Sequence, residues 1–381
     1  MPRKRGHGEG SIIERKSGAR RFQAFFSVGD GKRISRCFYT RREARAWLHE
    51  MQRRKAEGEN LEMRNVTLEE FLKHWLENIV RPSSRITTYE HYNTMCQKHI
   101  VPRLGRVRLS ELRPQHLQAL YGAFQEMPSL ASALHRCMHQ VLSWAMRMGI
   151  VSKNVADMVS SPKYHPKAMK ALSESEVERL LLSARDAHDP YYPLWLLAVV
   201  TGMRRGELAG LHWEDVDLTR GLISVRHILR YTQQQGLILQ EPKTAKGKRI
   251  IVISALAVQV LREHYQKEEE KKKQYPDSLA LKMVFTNPKG GYLSPFSIDY
   301  HFQKALERAG LSPIRFHDLR HTSATLLLKY GVHPKIVQER LGHANISMTL
   351  DIYSHVIPSM QEEAALKIEG PFSQKLLNDC A

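Results

Sequence analysis

The chain has few cysteines and no long apolar run. Its four cysteines are far apart and form no C-x-x-C pair, which argues against a zinc knuckle and a disulfide framework. The longest aliphatic and aromatic run, residues 194–200, is far shorter than the ~20 residues that span a bilayer. The charged N-terminus has no apolar stretch after it, so no secretory signal is expected. We therefore expect a cytoplasmic protein with reduced cysteines and no membrane contact.

Acidic residues are also in deficit. The 381 residues include 58 Lys and Arg against 39 Asp and Glu, a formal net charge of +19, while the hydrophobic share of 42% is that of a folded protein. Such a surplus favours a polyanionic partner, and no amphipathic or lipidation signal supports an anionic membrane instead. This length suits two or three domains. The sequence therefore points to a multidomain nucleic-acid-binding protein.

The basic surplus is concentrated near the N-terminus, where the first 60 residues contain 16 Lys or Arg and 7 Asp or Glu. Two β-prone runs, 22–28 and 32–39, flank a Gly-Asp-Gly turn and predict a hairpin. Thr40 and Glu43 form a capping-box pattern at the start of a helix that continues to about residue 55. Candidate DNA-binding residues on this helix are Arg41, Arg42 and Arg45. The alternative is a solvated basic face on a small accessory domain.

A helical region is predicted from about 65 to 160. Thr67 and Glu70 repeat the capping-box pattern, and apolar residues at helical spacing follow it. Further helices are predicted over 86–98, 114–126 and 129–148, and their apolar stripes are assigned to the core. The segment 160–167 contains two prolines together with Lys163 and Lys167. This composition suits an extended linker that follows DNA.

The rest of the chain, about 170–381, is predicted to mix helices with a small sheet. Ser173 and Glu176 form another capping box. Runs 222–229, 237–241 and 249–253 are β-prone and separated by turn signals, which predicts a three-stranded sheet. Helices are expected around 267–273, 297–310 and 317–330, the last ending at a glycine.

Two basic residues in this region carry little information on their own. Arg204 and Glu207 lie three residues apart, so the acid could orient the guanidinium, but such pairs are usually surface ion pairs worth little. Lys243 is predicted at the turn after the second strand, where an ordinary basic hairpin tip is the alternative.

A third group lies further along the chain. His317 and Arg320 share a helix face, and His343 follows in Leu-Gly-His, ten residues before Tyr353. A metal site using His317, His321 and His343 is an alternative. It is disfavoured because no carboxylate stands between the first two histidines and the nearby arginines would repel a cation.

Taken in order, these parts resemble the catalytic domain of the tyrosine recombinases, or phage integrases. That order is arginine, lysine on a β-hairpin, H-x-x-R, L-G-H and tyrosine, and TGMRRGEL, HDLRHTSATLLL and LGHANISMTLDIYSHV look like the family's two signature boxes. The resemblance is strong over 170–357 and looser over 66–159, which is similar to the core-binding domain. Residues 1–57 look like the arm-type DNA-binding domain of some integrases.

The chemistry shows why these residue types are needed. Displacement at a phosphodiester forms a five-coordinate phosphorane, whose added negative charge suits the permanently charged Arg204 and Arg320. His317 and His343 would donate to the same oxygens, and His317 would also accept the proton of the nucleophile Tyr353. A movable ammonium suits protonation of the leaving 5′ oxygen, and the resemblance implies Lys243 for this general acid. Because the 3′ phosphotyrosine conserves the bond energy, neither metal nor any other cofactor is expected.

The sequence thus predicts a multidomain α+β protein with an arm domain (1–57), a helical core-binding domain (65–160) and a mainly α catalytic domain with a small antiparallel sheet (170–381). The expected function is site-specific DNA recombination that integrates or excises a mobile element. Expected partners are double-stranded core and arm-type sites, three further copies of the chain, and a directionality factor or host DNA-bending protein. When bound to DNA in a bacterial host, the protein would be associated with the nucleoid.

Three alternatives remain open. A type IB topoisomerase uses the same five-group chemistry to relax one duplex. A non-catalytic DNA-binding regulator should have lost a cation or Tyr353, and none is lost. A metal-dependent DNA hydrolase would need clustered carboxylates, which the segment around His317 lacks.

Overall fold

A computed structural model describes residues 10–15, 21–29, 32–56, 66–164, 170–242, 247–277, 279, 282–343, 345–347 and 349–350. The chain divides into two compact units, Met1–Pro166 and Lys167–Ala381. The first unit contains two hydrophobic cores, a small one within residues 12–51 and a larger one within residues 66–159. The second contains a main core and a small satellite cluster.

The N-terminal part is an antiparallel three-stranded sheet packed against one helix. Its elements are β1 (Ser11–Glu14), β2 (Phe22–Gly29), β3 (Lys32–Phe38) and α1 (Arg41–Ala56), and the strand order is β1-β2-β3. The hairpin and the helix confirm the prediction, while β1 is an additional strand. The Thr40 hydroxyl accepts from the backbone N–H of Glu43, whose carboxylate accepts from the N–H of Thr40. The predicted capping box therefore starts α1.

Residues 66–159 are helical, as predicted. The α-helices are α2 (Leu68–Trp75), α3 (Arg81–Ser83), α4 (Ile86–Met95), α5 (Val101–Leu104), α6 (Pro114–Gly122) and α7 (Pro128–Arg147). π-Helical turns over Leu76–Val80 and Cys96–Ile100 join α2 to α3 and α4 to α5. Both halves of the capping box at Thr67 are formed. The apolar stripe of α7 is buried, so its assignment to the core is confirmed.

The second unit surrounds two small sheets with helices. Its elements are α8 (Glu174–Asp186), α9 (Tyr192–Thr201), α10 (Arg205–Ala209), β4 (Val216–Asp217), β5 (Leu222–Val225), β6 (Ile228–Thr232), β7 (Gly236–Gln240), β8 (Arg249–Val252), α11 (Ala255–Gln274), α12 (Pro295–Arg308), α13 (Asp318–Lys329) and α14 (Pro334–Leu341). The predicted run 222–229 is two strands. Strands β4-β5-β8 form one antiparallel sheet, and β6 and β7 form a separate hairpin.

The predicted run divides into β5 and β6 because the two strands pack against different parts of the fold. Strand β5 pairs with β8, whereas Ile228 and Leu229 at the start of β6 are both buried against α10. That contact depends on glycine. A Cβ at Gly206 would lie 2.8 Å from the carbonyl oxygen of Leu229, and one at Gly210 would lie 2.7 Å from its amide nitrogen. The period-2 pattern of the sequence does not reveal this change of partner.

Candidate active site

Arg204 is held where α9 ends and α10 begins. Gly202 ends α9 in the left-handed conformation (φ +62°), and an added Cβ there would meet Leu341 at 2.2 Å. The Arg204 guanidinium donates to Glu207 Oε1 at 2.8 Å and to the Gly342 carbonyl oxygen at 3.0 Å. The predicted orientation of Arg204 by Glu207 is therefore present. The second bond ties Arg204 to the residue before His343, 138 positions along the chain.

Arg320 lies on α13 and is 3% exposed. Its Nη1 donates to the carbonyl oxygen of Gly202 at 2.9 Å, while its buried Nη2 has no partner among the described residues. Burial, and next the charge of Arg204, lower the pKa of Arg320 to about 9. Two guanidiniums are thus held close together with one donor unsatisfied, and an anion would relieve both costs.

His317 and His343 lie in the electrostatic field of these arginines. His317 is exposed to solvent on one side, but desolvation by the protein around its ring is the main cause that lowers its pKa to about 4, followed by the charges of His321, Arg320 and Arg204. The pKa of His343 is also lowered to about 4, first by burial and then by Arg320 and Arg204. His343 Nδ1 is 2.9 Å from the buried Thr349 hydroxyl, which leaves Nε2 for a ligand. Both imidazoles are neutral at pH 7 in the free chain.

Arg249 is a residue that sequence reasoning missed. Its guanidinium, 7% exposed, donates to Glu207 Oε2 at 2.9 Å and, through Nε, to the carbonyl oxygen of Arg340 at 2.7 Å. Burial alone would raise the pKa of the Glu207 carboxyl, but Arg249 and then Arg204 hold it below its ordinary value. The Arg204–Glu207–Arg249 bridge thus joins α10 to β8 and α14. Its only sequence signal is an arginine six residues after Lys243.

Several predicted site residues lie outside the described residues, namely Lys243, Tyr353 and Lys167. The segment of Lys243 is flanked by an ion pair between Lys248 and Glu241 at 2.7 Å. Lys163 lies within the described residues, and its side chain is exposed. Arg41, Arg42 and Arg45 are exposed on α1. The structure therefore brings together Arg204, Arg320, His317 and His343, and it leaves Arg41, Arg42, Arg45 and Lys163 accessible.

Among the described residues, no helix combines the length and the apolar character needed to cross a membrane.

Comparison with known proteins gives the same class that the site suggests. Residues 170–360 match the phage integrase family, and residues 67–123 match the SAM-like N-terminal domain of phage integrases. The tyrosine recombinase XerC-like protein of Caldanaerobacter subterraneus is 28% identical over 384 residues, covering 94% of this chain and 98% of that protein. The chain therefore belongs to the phage integrase family of tyrosine recombinases, enzymes of site-specific recombination on mobile elements.

Two solved structures share the fold. The Tn1549 transposon integrase in complex with transposon right end DNA aligns with a TM-score of 0.67 at 20% identity, over 79% of this chain and 100% of that one. A lambda integrase tetramer bound to a Holliday junction aligns with a TM-score of 0.57 at 18% identity, over 92% of this chain and 96% of that one. The predicted multidomain, mainly helical fold with small antiparallel sheets is confirmed.

Proposed function

We propose that Tyr353 cleaves one DNA strand by attacking the scissile phosphorus while Arg204 and Arg320 hold the non-bridging oxygens. The observation that carries this proposal is the convergence of two guanidiniums and two neutral imidazoles, with one buried Arg320 donor unpaired. Extra negative charge in the phosphorane strengthens these contacts, so they stabilise the transition state more than the ground state.

The two imidazoles have separate roles. His343 donates from Nε2 to a phosphate oxygen, with its other nitrogen bonded to Thr349. His317 accepts the phenolic proton of Tyr353. The lowered pKa of His317 in the free chain leaves it unprotonated and ready to accept. A bound phosphate offsets the charge of the arginines and raises that pKa again, which improves the imidazole as a base.

The step balances without a co-reactant. The Tyr353 oxygen forms a bond to phosphorus, the bond from phosphorus to the 5′ oxygen breaks, and Lys243 gives its proton to that oxygen. A 5′ hydroxyl from another duplex then attacks the phosphotyrosine, releases Tyr353 and restores a phosphodiester. Because the bond energy is conserved, the reaction requires neither metal nor nucleotide.

The remaining parts bind and arrange DNA. We assign residues 65–160 to the core site, residues 1–57 to distal arm-type sites, and Lys163 and Lys167 to the linker along the duplex. The exposed arginines of α1 support the arm assignment. Four copies would act together on two duplexes, as the lambda integrase tetramer on a Holliday junction suggests. A directionality factor or DNA-bending protein, a cytoplasmic location and association with the nucleoid complete the proposal.

The direct test is covalent capture. The full-length protein is incubated with pooled genomic fragments, the reaction is stopped with detergent, and the DNA attached to protein is sequenced. We expect attachment at discrete sites through a 3′ phosphate. DNA attached without sequence preference, together with relaxation of supercoiled plasmid, would favour the topoisomerase alternative.

A truncation separates the two proposed DNA-binding regions. The chain from Asn65 onwards should still form the phosphotyrosine at a core site but fail to recombine sites that carry distal arms. Removing positive charge should also make binding less dependent on salt, because fewer counterions are released. Recombination that survives the truncation would contradict the arm assignment.

A further inference from the structure

A cluster of two histidines and two carboxylates lies where the chain crosses from the three-stranded sheet to the β6–β7 hairpin. His212, Glu214 and Asp215 are on the segment between α10 and β4, and His227 lies between β5 and β6. The His212 and Asp215 side chains are 2% and 0% exposed, whereas His227 is partly exposed and Glu214 is exposed. None of the four contacts the arginines of the active site in any bond described above.

Hydrogen bonding alone does not satisfy this cluster. His227 Nδ1 is 2.8 Å from His212 Nδ1 and 2.9 Å from Asp215 Oδ2. If His227 Nδ1–H donates to Asp215, His212 Nδ1 can only accept from that same hydrogen. The ring hydrogen of His212 is then on Nε2. That Nε2 is buried without a partner among the described residues. One proton is thus shared among two ring nitrogens and a carboxylate oxygen, which leaves the buried His212 Nδ1 lone pair poorly satisfied; an ion would satisfy that lone pair, while the Nε2–H of His212 stays unpaired among the described residues in either case.

The same three atoms are close enough to one another for a single ion to reach all of them. The third side of their triangle, His212 Nδ1 to Asp215 Oδ2, is 3.8 Å. The point equidistant from the three atoms lies in their plane, ~1.9 Å from each by the sides of 2.8, 2.9 and 3.8 Å, so a zinc ion at its usual ~2.0–2.2 Å would lie just out of that plane and the two rings would turn apart to give a tetrahedral arrangement. Glu214 is the candidate for a fourth donor, because one of its carboxylate oxygens and one ring nitrogen each of His212 and His227 lie within 4.8 Å of one another.

We propose that His212, His227, Asp215 and Glu214 bind a zinc ion that fixes the junction between β5 and β6. Four donors suit tetrahedral zinc, and imidazoles select zinc over magnesium. Two carboxylates balance the charge of the ion. Nearby cations do not occupy the position of the ion. Arg226 is 3.5 Å from the other Asp215 oxygen, and its side chain is 63% exposed. Lys282 acts on His212 only through its charge.

The ion would be structural and not part of the reaction. The hairpin of β6 and β7 leads through Glu241 to the segment of Lys243, and Glu241 lies close enough to His227 to feel its charge. Fixing His227 would therefore stabilise the base of the hairpin that precedes the proposed general acid. The phosphoryl transfer itself does not use this ion, so the inference stands apart from the proposed function.

The test measures binding and stability, with full-length protein stripped of metal by a chelator and then dialysed. Titration with zinc should give one equivalent per chain and raise Tm as free zinc increases. Cobalt at the same site should produce the visible absorption of a four-coordinate ion. His227→Ala and Glu214→Gln should each weaken zinc binding, the first by more than the ~10–100-fold that loss of an outer-shell partner of a metal ligand costs. Glu214 is exposed, so its replacement tests the site without removing core packing.

Two controls locate the ion. His139 pairs with Asp157 at 2.8 Å in the other unit, so His139→Ala removes a histidine next to a carboxylate outside the cluster and should leave zinc binding unchanged. His321→Ala removes a histidine beside His317 and should also leave it unchanged. Zinc binding that is absent in the wild type, that survives both cluster substitutions, or that is lost in His321→Ala would overturn the proposal.

Discussion

Two arginines of the second unit differ from those of helix α1 in the contacts that hold their side chains. Arg320 and Arg249 are buried and bonded to backbone carbonyls or to Glu207. Arg41, Arg42 and Arg45 are exposed on the first turns of one helix. A buried, oriented guanidinium holds one phosphate in one geometry, whereas an exposed one neutralises any phosphate that approaches. If the proposed function is right, the same residue type would assist catalysis in the second unit and attract DNA in α1.

The largest effect should come from replacing the proposed nucleophile, because without it the arginines of the second unit have no cleavage step to assist. Tyr353→Phe removes only the attacking oxygen, so covalent protein–DNA complex should be lost while the Kd for core DNA stays within about twofold. Gel separation of trapped complexes and fluorescence anisotropy measure the two quantities. A covalent adduct formed by this variant would place the nucleophile elsewhere.

The next largest effect should come from Lys243, the proposed general acid, whose role differs from that of the fixed arginines. Lys243→Ala should slow cleavage by roughly 10²–10⁴-fold, the range for loss of a proton-transfer group. A substrate with a 5′-thiolate leaving group needs no acid and should restore the rate. Lys246→Ala is the matched control on the same segment. Rescue seen with that control in place of Lys243→Ala would show that the wrong lysine was assigned.

A third test asks whether a buried arginine can serve the reaction without touching DNA. Arg249→Met leaves Glu207 paired with Arg204 alone, so part of the Arg204 charge is offset and cleavage should fall at least ~10-fold, with ~1.4 kcal/mol of transition-state stabilisation lost. Breaking a buried pair should also cost roughly 3–5 kcal/mol of stability. Single-turnover cleavage and urea unfolding report the two effects.

A purely structural role for Arg249 is distinguishable from a positioning role. A methylphosphonate at the scissile position carries less negative charge, so it should narrow the difference between Arg249→Met and wild type. Arg249→Lys should recover part of the rate. Arg262→Met, which removes an exposed arginine bonded to the Leu218 carbonyl oxygen in the same unit, is the control and should cleave normally. An equal deficit on both substrates would reduce Arg249 to a folding role.

Buried His343 predicts a pH dependence of stability. The pKa of His343 is about 4 in the folded chain against an ordinary 6.5, so the unfolded chain binds more protons between these values. This contribution to stability is complete above about pH 6.5 and declines as pH falls towards 4. His343→Asn should make the free energy of unfolding less dependent on pH in that window. Equal slopes in wild type and His343→Asn would contradict the burial argument.

The smallest effect on cleavage should come from α1. Replacing Arg41, Arg42 and Arg45 by alanine should leave core-site cleavage unchanged, because these residues hold no reacting atom. The dependence of log K on log salt for DNA with arm sites should become shallower by up to ~3, at about 0.9 per lost phosphate contact. Loss of core cleavage in this variant would remove the distinction between the two regions.

The sequence alone determined the class of enzyme and most helix starts. The capping boxes at Thr67 and Ser173 form as predicted, because each depends on residues three positions apart. The order of Arg204, Lys243, His317, Arg320, His343 and Tyr353 indicated the family before any distance was known. Local pattern and motif order are properties of the chain itself, so they can be read without the fold.

Only the tertiary structure decided which distant groups meet. The bond from Arg249 to Glu207, the bond from Arg204 to the Gly342 carbonyl and the meeting of His212 with His227 join segments far apart in sequence. The division of 222–229 into β5 and β6 likewise depends on close approach of the chain to Gly206 and Gly210. Such contacts follow from how the core packs, because burial and the need to pair buried charges act between neighbours in space and leave no fixed spacing in the sequence.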